Sequence, residues 1–155
     1  MTTLFAPLAL LPQGWAGDVR VRLDDVGRIA AVAAGAPAQP EDRVLTDRVL
    51  LPAPSNLHSH AFQRGLAGLA ERRGEGADSF WTWRRAMYGF LERLTPDDVA
   101  AIAAMVQVEM AEAGFAAVGE FHYLHHGPDG AAYDEPAAMS AAIAEAATRT
   151  GLGLT

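Results

Sequence analysis

The stretch that decides the fold is Asn56-Leu57-His58-Ser59-His60. An apolar run, Val49-Leu50-Leu51, leads to it through Pro52, Ala53 and Pro54, which predicts a short buried strand ending at a polar tip. Residues two apart on a strand project from one face, so His58 and His60 are expected to leave the sheet together. Two adjacent imidazoles are a compact start for a divalent metal site. A bare His-x-His, taken alone, favours two unrelated histidines, one of them structural, so the rest of the chain has to decide.

All five histidines, His58, His60, His122, His125 and His126, lie in two short clusters at the ends of predicted strands. Scattered core or surface histidines would not usually sort this way. On pattern alone His122, His125 and His126 are more simply read as solvated or structural than as ligands. The chain has no cysteine, which excludes a disulfide framework and a thiolate metal site. Any metal must therefore be held by His and carboxylate groups.

The 155 residues carry 12 basic and 19 acidic side chains, a formal charge of −7. Half of them are hydrophobic, so the composition is not that of a disordered chain. The acidic balance, with scattered arginines, argues against a nucleic-acid partner. Met1 to Leu11 is apolar without a basic flank and is broken by proline, and no run approaches the ~20 apolar residues of a membrane span. A cytoplasmic protein with no membrane partner is expected.

The first fifty residues are strand-rich. Leu4 to Leu11 is an apolar stretch closed by Pro12-Gln13-Gly14. Asp18 to Leu23 alternates as a half-buried strand, and Arg28 to Val32 is a return strand after turn chemistry at Asp24 to Gly27. One or two short strands follow between Arg43 and Leu51. After His60 the character changes. Phe62 to Ala70 is helical or looped, and Glu71 to Asp78 is a charged loop. A helix opens with Asp78 or Ser79 as its cap and ends near Leu94. Thr95-Pro96-Asp97-Asp98 is a helix start for Val99 to Ala113, stopped by Gly114. Phe115 to Phe121 is a buried strand, Ala137 to Arg149 a helix broken at Gly151, and Gly153 begins another strand. Alternation of this kind predicts an α/β fold with parallel strands, whose sites gather at the strands' C-terminal ends. Residues 1–52 and 53–155 are expected to form separate domains.

Three stretches resemble one known family. Asn56-Leu57-His58-Ser59-His60-Ala61-Phe62-Gln63-Arg64 resembles its first-strand metal motif. Asp78-Ser79-Phe80-Trp81-Thr82-Trp83-Arg84 resembles its substrate-side helix start, and Glu120-Phe121-His122-Tyr123-Leu124-His125-His126 its second-strand motif. The chain is similar to the N-terminal third of the formimidoylglutamate (N-formimino-L-glutamate) deiminases of the amidohydrolase superfamily. His-x-His marks only the superfamily, whereas the other two motifs together are specific to the deiminases. One departure is local: Ala53-Pro54-Ser55 stands where a Gly-Met-Pro type of lead-in is more usual.

The resemblance implies the N-terminal part of a (β/α)8, TIM-like hydrolase barrel, preceded by strands of a composite β-sandwich, in a truncated chain. It implies one zinc ion, with His58 and His60 as its first two ligands and the remaining ligands and acid/base residues downstream. It implies a small-molecule substrate, formiminoglutamate, deiminated to N-formyl-L-glutamate and ammonia, with Gln63, Arg84 and Tyr123 binding it and a homodimer for the full-length enzyme. Residue type agrees: arginine offers a planar fork to a carboxylate, and tyrosine and glutamine offer directed hydrogen bonds. Without the family, Arg84 reads as a solvated helix arginine and Tyr123, Trp81 and Trp83 as packing residues. Glu120 is a candidate for holding a neighbouring histidine by a hydrogen bond. Alternatives are a related deaminase acting on another amidine, guanidine or aminated ring, or a non-catalytic module. The 155 residues alone are expected to bind zinc weakly and to turn nothing over.

Overall fold

The computed structural model describes residues 1–71 and 79–155. The loop expected over Glu71 to Asp78 lies, from residue 72 on, outside the described residues, as does Asp78 as a helix cap. Two compact units are present, Met1–Pro52 and Ala53–Thr155.

In the first unit β1 (Thr2–Leu11) and β2 (Gly14–Leu23) form an antiparallel hairpin. Its tight turn puts Gly14 at φ 116°, a conformation that costs a side chain-bearing residue energy. The hairpin register passes from Ala6↔Val19 to Leu8↔Gly17, so Pro7, which has no N–H to give the ladder, lies opposite Asp18, itself at φ 50°. β3 (Ile29–Ala33) extends the sheet beside β2. The short strands β4 (Arg43–Val44) and β5 (Val49–Leu50) run parallel to β1. Ala9, Val19 and Val21 form the small core. Arg20 grips Asp42 with two bonds of 2.7 and 2.8 Å, and the Gln39 N–H adds a third at 2.8 Å. The guanidinium holds the Asp42 carboxyl below the usual carboxylate range.

The Val49–Leu51 run does not form the strand that carries the histidines. It ends in the first unit as β5, with Val49 and Leu51 half exposed. Pro52 and Pro54 stop it there, because each lacks a ladder donor and restricts the residue before it. A separate strand, β6 (Ser55–Ser59), bears His58.

In the second unit β6, β7 (Ala117–Glu120) and β8 (Gly153–Leu154) form a parallel sheet in that order. A 3-10 turn (Ala61–Leu66), α1 (Phe80–Leu91) and α2 (Pro96–Glu112) lie between β6 and β7, and α3 (Ala138–Thr150) between β7 and β8. Ser79 caps α1 in a reciprocal box with Thr82. Thr95 caps α2 with Asp98, whose carboxyl the Thr95 hydroxyl and N–H hold below its usual range. α3 stops at Gly151, in the left-handed conformation at φ 78°. The core gathers Ala61, Phe62 and Leu66 from the turn, Met87 from α1, Val99 and Ala103 from α2, and Met139, Ala142, Ile143 and Ala146 from α3. Among the described residues no helix is long and apolar enough to cross a membrane.

The turn after His60 is pinned at two points. Arg64 forms a forked pair with Glu109 of α2, at 3.1 and 2.8 Å. Gly65 is where the turn meets two helices: a Cβ there would stand 2.5 Å from Phe90 Cζ and 2.9 Å from Ile102 Cδ1. Gly65→Ala is therefore expected to destabilise the fold by about 1–3 kcal/mol. Urea unfolding checks this, and an unchanged midpoint would contradict the packing.

Candidate metal centre

His58 comes from the last part of β6 and His60 from the residue just beyond it. The β6–β7 register slips between Asn56↔Val118 and Ser59↔Glu120, so β6 carries one extra residue across this interval. A bulge re-aims side chains. The outcome is a His58 Nε2 to His60 Nε2 distance of 3.1 Å, with ring planes at 84°. The two rings thus converge, as strand alternation predicts, although the alternation is bent.

The second nitrogen of His60 sets its state. Nδ1 lies 2.9 Å from the Phe121 carbonyl oxygen, which can only accept, so Nδ1 carries the proton and donates. Nε2 then keeps its lone pair toward His58. A metal-ligating histidine characteristically gives its other N–H to such an acceptor. Two imidazole nitrogens on a tetrahedral zinc at ~2.0–2.1 Å would be about 3.3 Å apart, close to the spacing of this pair. The pair fits two positions of such an ion. Among the described residues no group of three or more His, Asp or Glu side chains converges as a metal site.

A cavity of about 470 Å3 opens at this point, lined by Leu57, His58, Ser59, His60, Gly119, Glu120, Phe121 and Thr155. Glu120 does not hold a histidine side chain; its Oε1 accepts the Ala61 N–H at 2.8 Å, and the Phe121 carbonyl takes the imidazole instead. The reason is reach: the end of β7 sets the main-chain oxygen beside the ring.

Of the other candidates, Tyr123 lies beside the pair, its ring centroid 6.4 Å from that of His60 and 5.0 Å from that of Phe62. Its hydroxyl donates to Met87 Sδ at 3.2 Å, and Gln63 Nε2 points at the same sulfur from 3.9 Å. A thioether is a weak acceptor, so both donors keep most of their capacity for a stronger one. Arg84 stands elsewhere. Its guanidinium stacks over Tyr88 at 5.2 Å and Trp81 at 5.8 Å, and Nη2 lies 3.3 Å from the Tyr88 hydroxyl. It lines a second cavity with Trp81, Arg85, Tyr88, Gly89 and Glu92. Among the described residues it makes no hydrogen bond to His58, His60, Gln63 or Tyr123.

His122 is fixed differently. Its Nδ1 accepts the Leu124 N–H at 3.3 Å, so Nε2 carries the proton and donates to Ser140 Oγ at 2.8 Å. Burial first, and then the nearby His125, push its imidazole below the usual histidine range. His125 and His126 line a third cavity with Tyr123 and Tyr88. Sequence reasoning missed Met87, where two of the candidates meet, and the Phe121 carbonyl. No residue pattern marks the first, and a main-chain acceptor has no signature.

Comparisons with known proteins agree in direction. Residues 1–45 match the family model for the N-terminal domain of the formimidoylglutamate deiminase HutF. A formimidoylglutamate deiminase of Pseudomonas aeruginosa is 47% identical over 155 residues, spanning 100% of this chain and 34% of that protein. The crystal structure of an amidohydrolase from Brucella melitensis superposes with a TM-score of 0.90 at 48% identity, over 100% of this chain and 34% of the other. An adenosine deaminase from Xanthomonas campestris, with bound zinc, superposes at a TM-score of 0.65 and 17% identity, over 99% of this chain and 32% of its own length. That last likeness is one of fold alone. The chain spans about a third of the length of these relatives.

Proposed function

We propose that this chain, similar along its whole length to the N-terminal third of a formimidoylglutamate deiminase, is the opening part of a zinc-dependent enzyme that hydrolyses N-formimino-L-glutamate to N-formyl-L-glutamate and ammonia. The observation that carries the proposal is the 3.1 Å Nε2–Nε2 pair of His58 and His60, with the His60 ring oriented by the Phe121 carbonyl. The larger architecture is a (β/α)8 barrel, to which β6, β7 and β8 contribute the first parallel strands, with the first unit as part of a β-sandwich.

His58 and His60 would hold two positions of the ion. When bound, zinc lowers the pKa of a water ligand toward neutrality. The chain's own residues orient the substrate. Tyr123 and Gln63, both facing Met87, have donors free to exchange a sulfur for a carboxylate oxygen. Arg84 lies over the Trp81 and Tyr88 rings, with only Nη2 directed at a hydroxyl, so its fork would be offered to the other carboxylate. Arg84→Lys keeps the charge and loses the fork. In a polypeptide of the relatives' length it is expected to raise KM about tenfold or more, with kcat much less affected. Steady-state kinetics check this, and an unchanged KM would remove Arg84 from the site.

The direct test is ammonia release from formiminoglutamate by the zinc-loaded polypeptide of the relatives' length. No release, or release only from another amidine, guanidine or aminated ring, would overturn the assignment.

A further inference from the structure

Three hydrogen bonds connect the end of β7 to the three residues around His60. Phe121 N–H donates to the Ser59 carbonyl at 2.9 Å, His60 Nδ1–H donates to the Phe121 carbonyl at 2.9 Å, and Ala61 N–H donates to Glu120 Oε1 at 2.8 Å. The first belongs to the sheet. The other two lie past the last paired position, Ser59↔Glu120. His60 has already left strand conformation there, at φ −131° and ψ 73°. A ladder would offer the Ala61 N–H a main-chain carbonyl. Glu120 offers its carboxylate instead, from the same strand end that holds the imidazole.

We propose that Glu120 is a positioning residue, whose carboxylate clamps the Ala61 N–H and so fixes His60 at the angle where its Nε2 meets that of His58. The consequence is geometric. With a register shift between Asn56 and Ser59 and a 3-10 turn starting at Ala61, the main chain on either side of His60 is irregular. A ring held only through Nδ1 could swing with its backbone, and the 3.1 Å pair would open. The clamp on the next residue removes that freedom. Glu120 needs only to accept a hydrogen bond, so a glutamine oxygen can replace it, whereas alanine cannot.

As a metal-site role this rests on the deiminase reading, and the test separates the two. Zinc binding to a polypeptide of the relatives' length is measured by calorimetry, with the His60 Nδ1 proton and the Ala61 amide followed by NMR. Glu120→Ala is expected to weaken zinc binding by about 10–100-fold, the usual effect of losing a ligand's supporting group. It should also expose the His60 Nδ1 proton to exchange and shift the Ala61 amide upfield. Glu120→Gln should preserve both signatures, which a general loss of structure would not. Unchanged zinc affinity and an intact His60 proton in Glu120→Ala would overturn the proposal. So would equal losses in Glu120→Gln with unchanged circular dichroism, since the charge would then be what matters. If the unmodified polypeptide of the relatives' length takes up no zinc, the metal assignment fails. The His60 proton in Glu120→Ala still decides the clamp: lost, the clamp stands; retained, it falls.

Discussion

His60→Ala, in a polypeptide of the relatives' length, is expected to lower kcat/KM for ammonia release by about 10³-fold or more. Under the proposed function, the size follows from what a bound zinc ion would supply. Lewis-acid and water activation contribute several kcal/mol of transition-state stabilisation, and each 1.36 kcal/mol is about tenfold in rate. Alanine removes one of the two nitrogens that meet at 3.1 Å and frees the Phe121 carbonyl that oriented it. Neither loss can be made good locally, because Glu120 already bonds the Ala61 N–H and, among the described residues, no third His, Asp or Glu side chain converges there. The substitution should also lower bound zinc, measured by elemental analysis of the purified protein. His60 is on the cavity wall and not in the main core, so circular dichroism should change little. Turnover within tenfold of the unmodified enzyme would remove the histidine pair from catalysis.

The sequence disclosed what is locally determined. Thr95-Pro96-Asp97-Asp98 states a helix start in four residues, and α2 begins at Pro96 with the reciprocal Thr95–Asp98 box. The alternation of Asp18 to Leu23 marks the second half of β2, but the first half, Gly14 to Gly17, has no such pattern. Its strand character comes from pairing with β1 across the hairpin. Val49–Leu51 shows the converse: an apolar run suits a buried strand in either unit, and the two prolines after it decided which. The candidate site divides the same way. That His58 and His60 come together was readable from their spacing. How they do so was not, because the bulge exists only relative to β7. Arg84 and Tyr123 lie 39 positions apart, and no local rule says which of them reaches the histidines; Tyr123 does, and Arg84 is taken up by Trp81 and Tyr88.

Met139→Ala should cost about 2–5 kcal/mol of folding stability, the range for truncating a large buried apolar side chain. Met139 is among the largest fully buried side chains, at 2% exposure, and it sits in the cluster that joins the 3-10 turn, α1, α2 and α3. Truncation removes its transfer free energy and leaves a void that the walls cannot close. The cluster Met139 belongs to includes Ala103, Ala142 and Ala146, too short to move in, and the 3-10 turn that shares the cluster is anchored by Arg64 to Glu109. Met139→Leu nearly conserves volume and should cost less than about 1.5 kcal/mol. The comparison separates cavity from chemistry, since both variants remove the sulfur. Domains are stable by only about 5–15 kcal/mol, so the alanine variant should lose a large part of its margin in urea unfolding. Equal midpoints for the two variants would mean that Met139 does not fill this core. The packing that sets the turn after His60 beside α1 and α2 would then need another support.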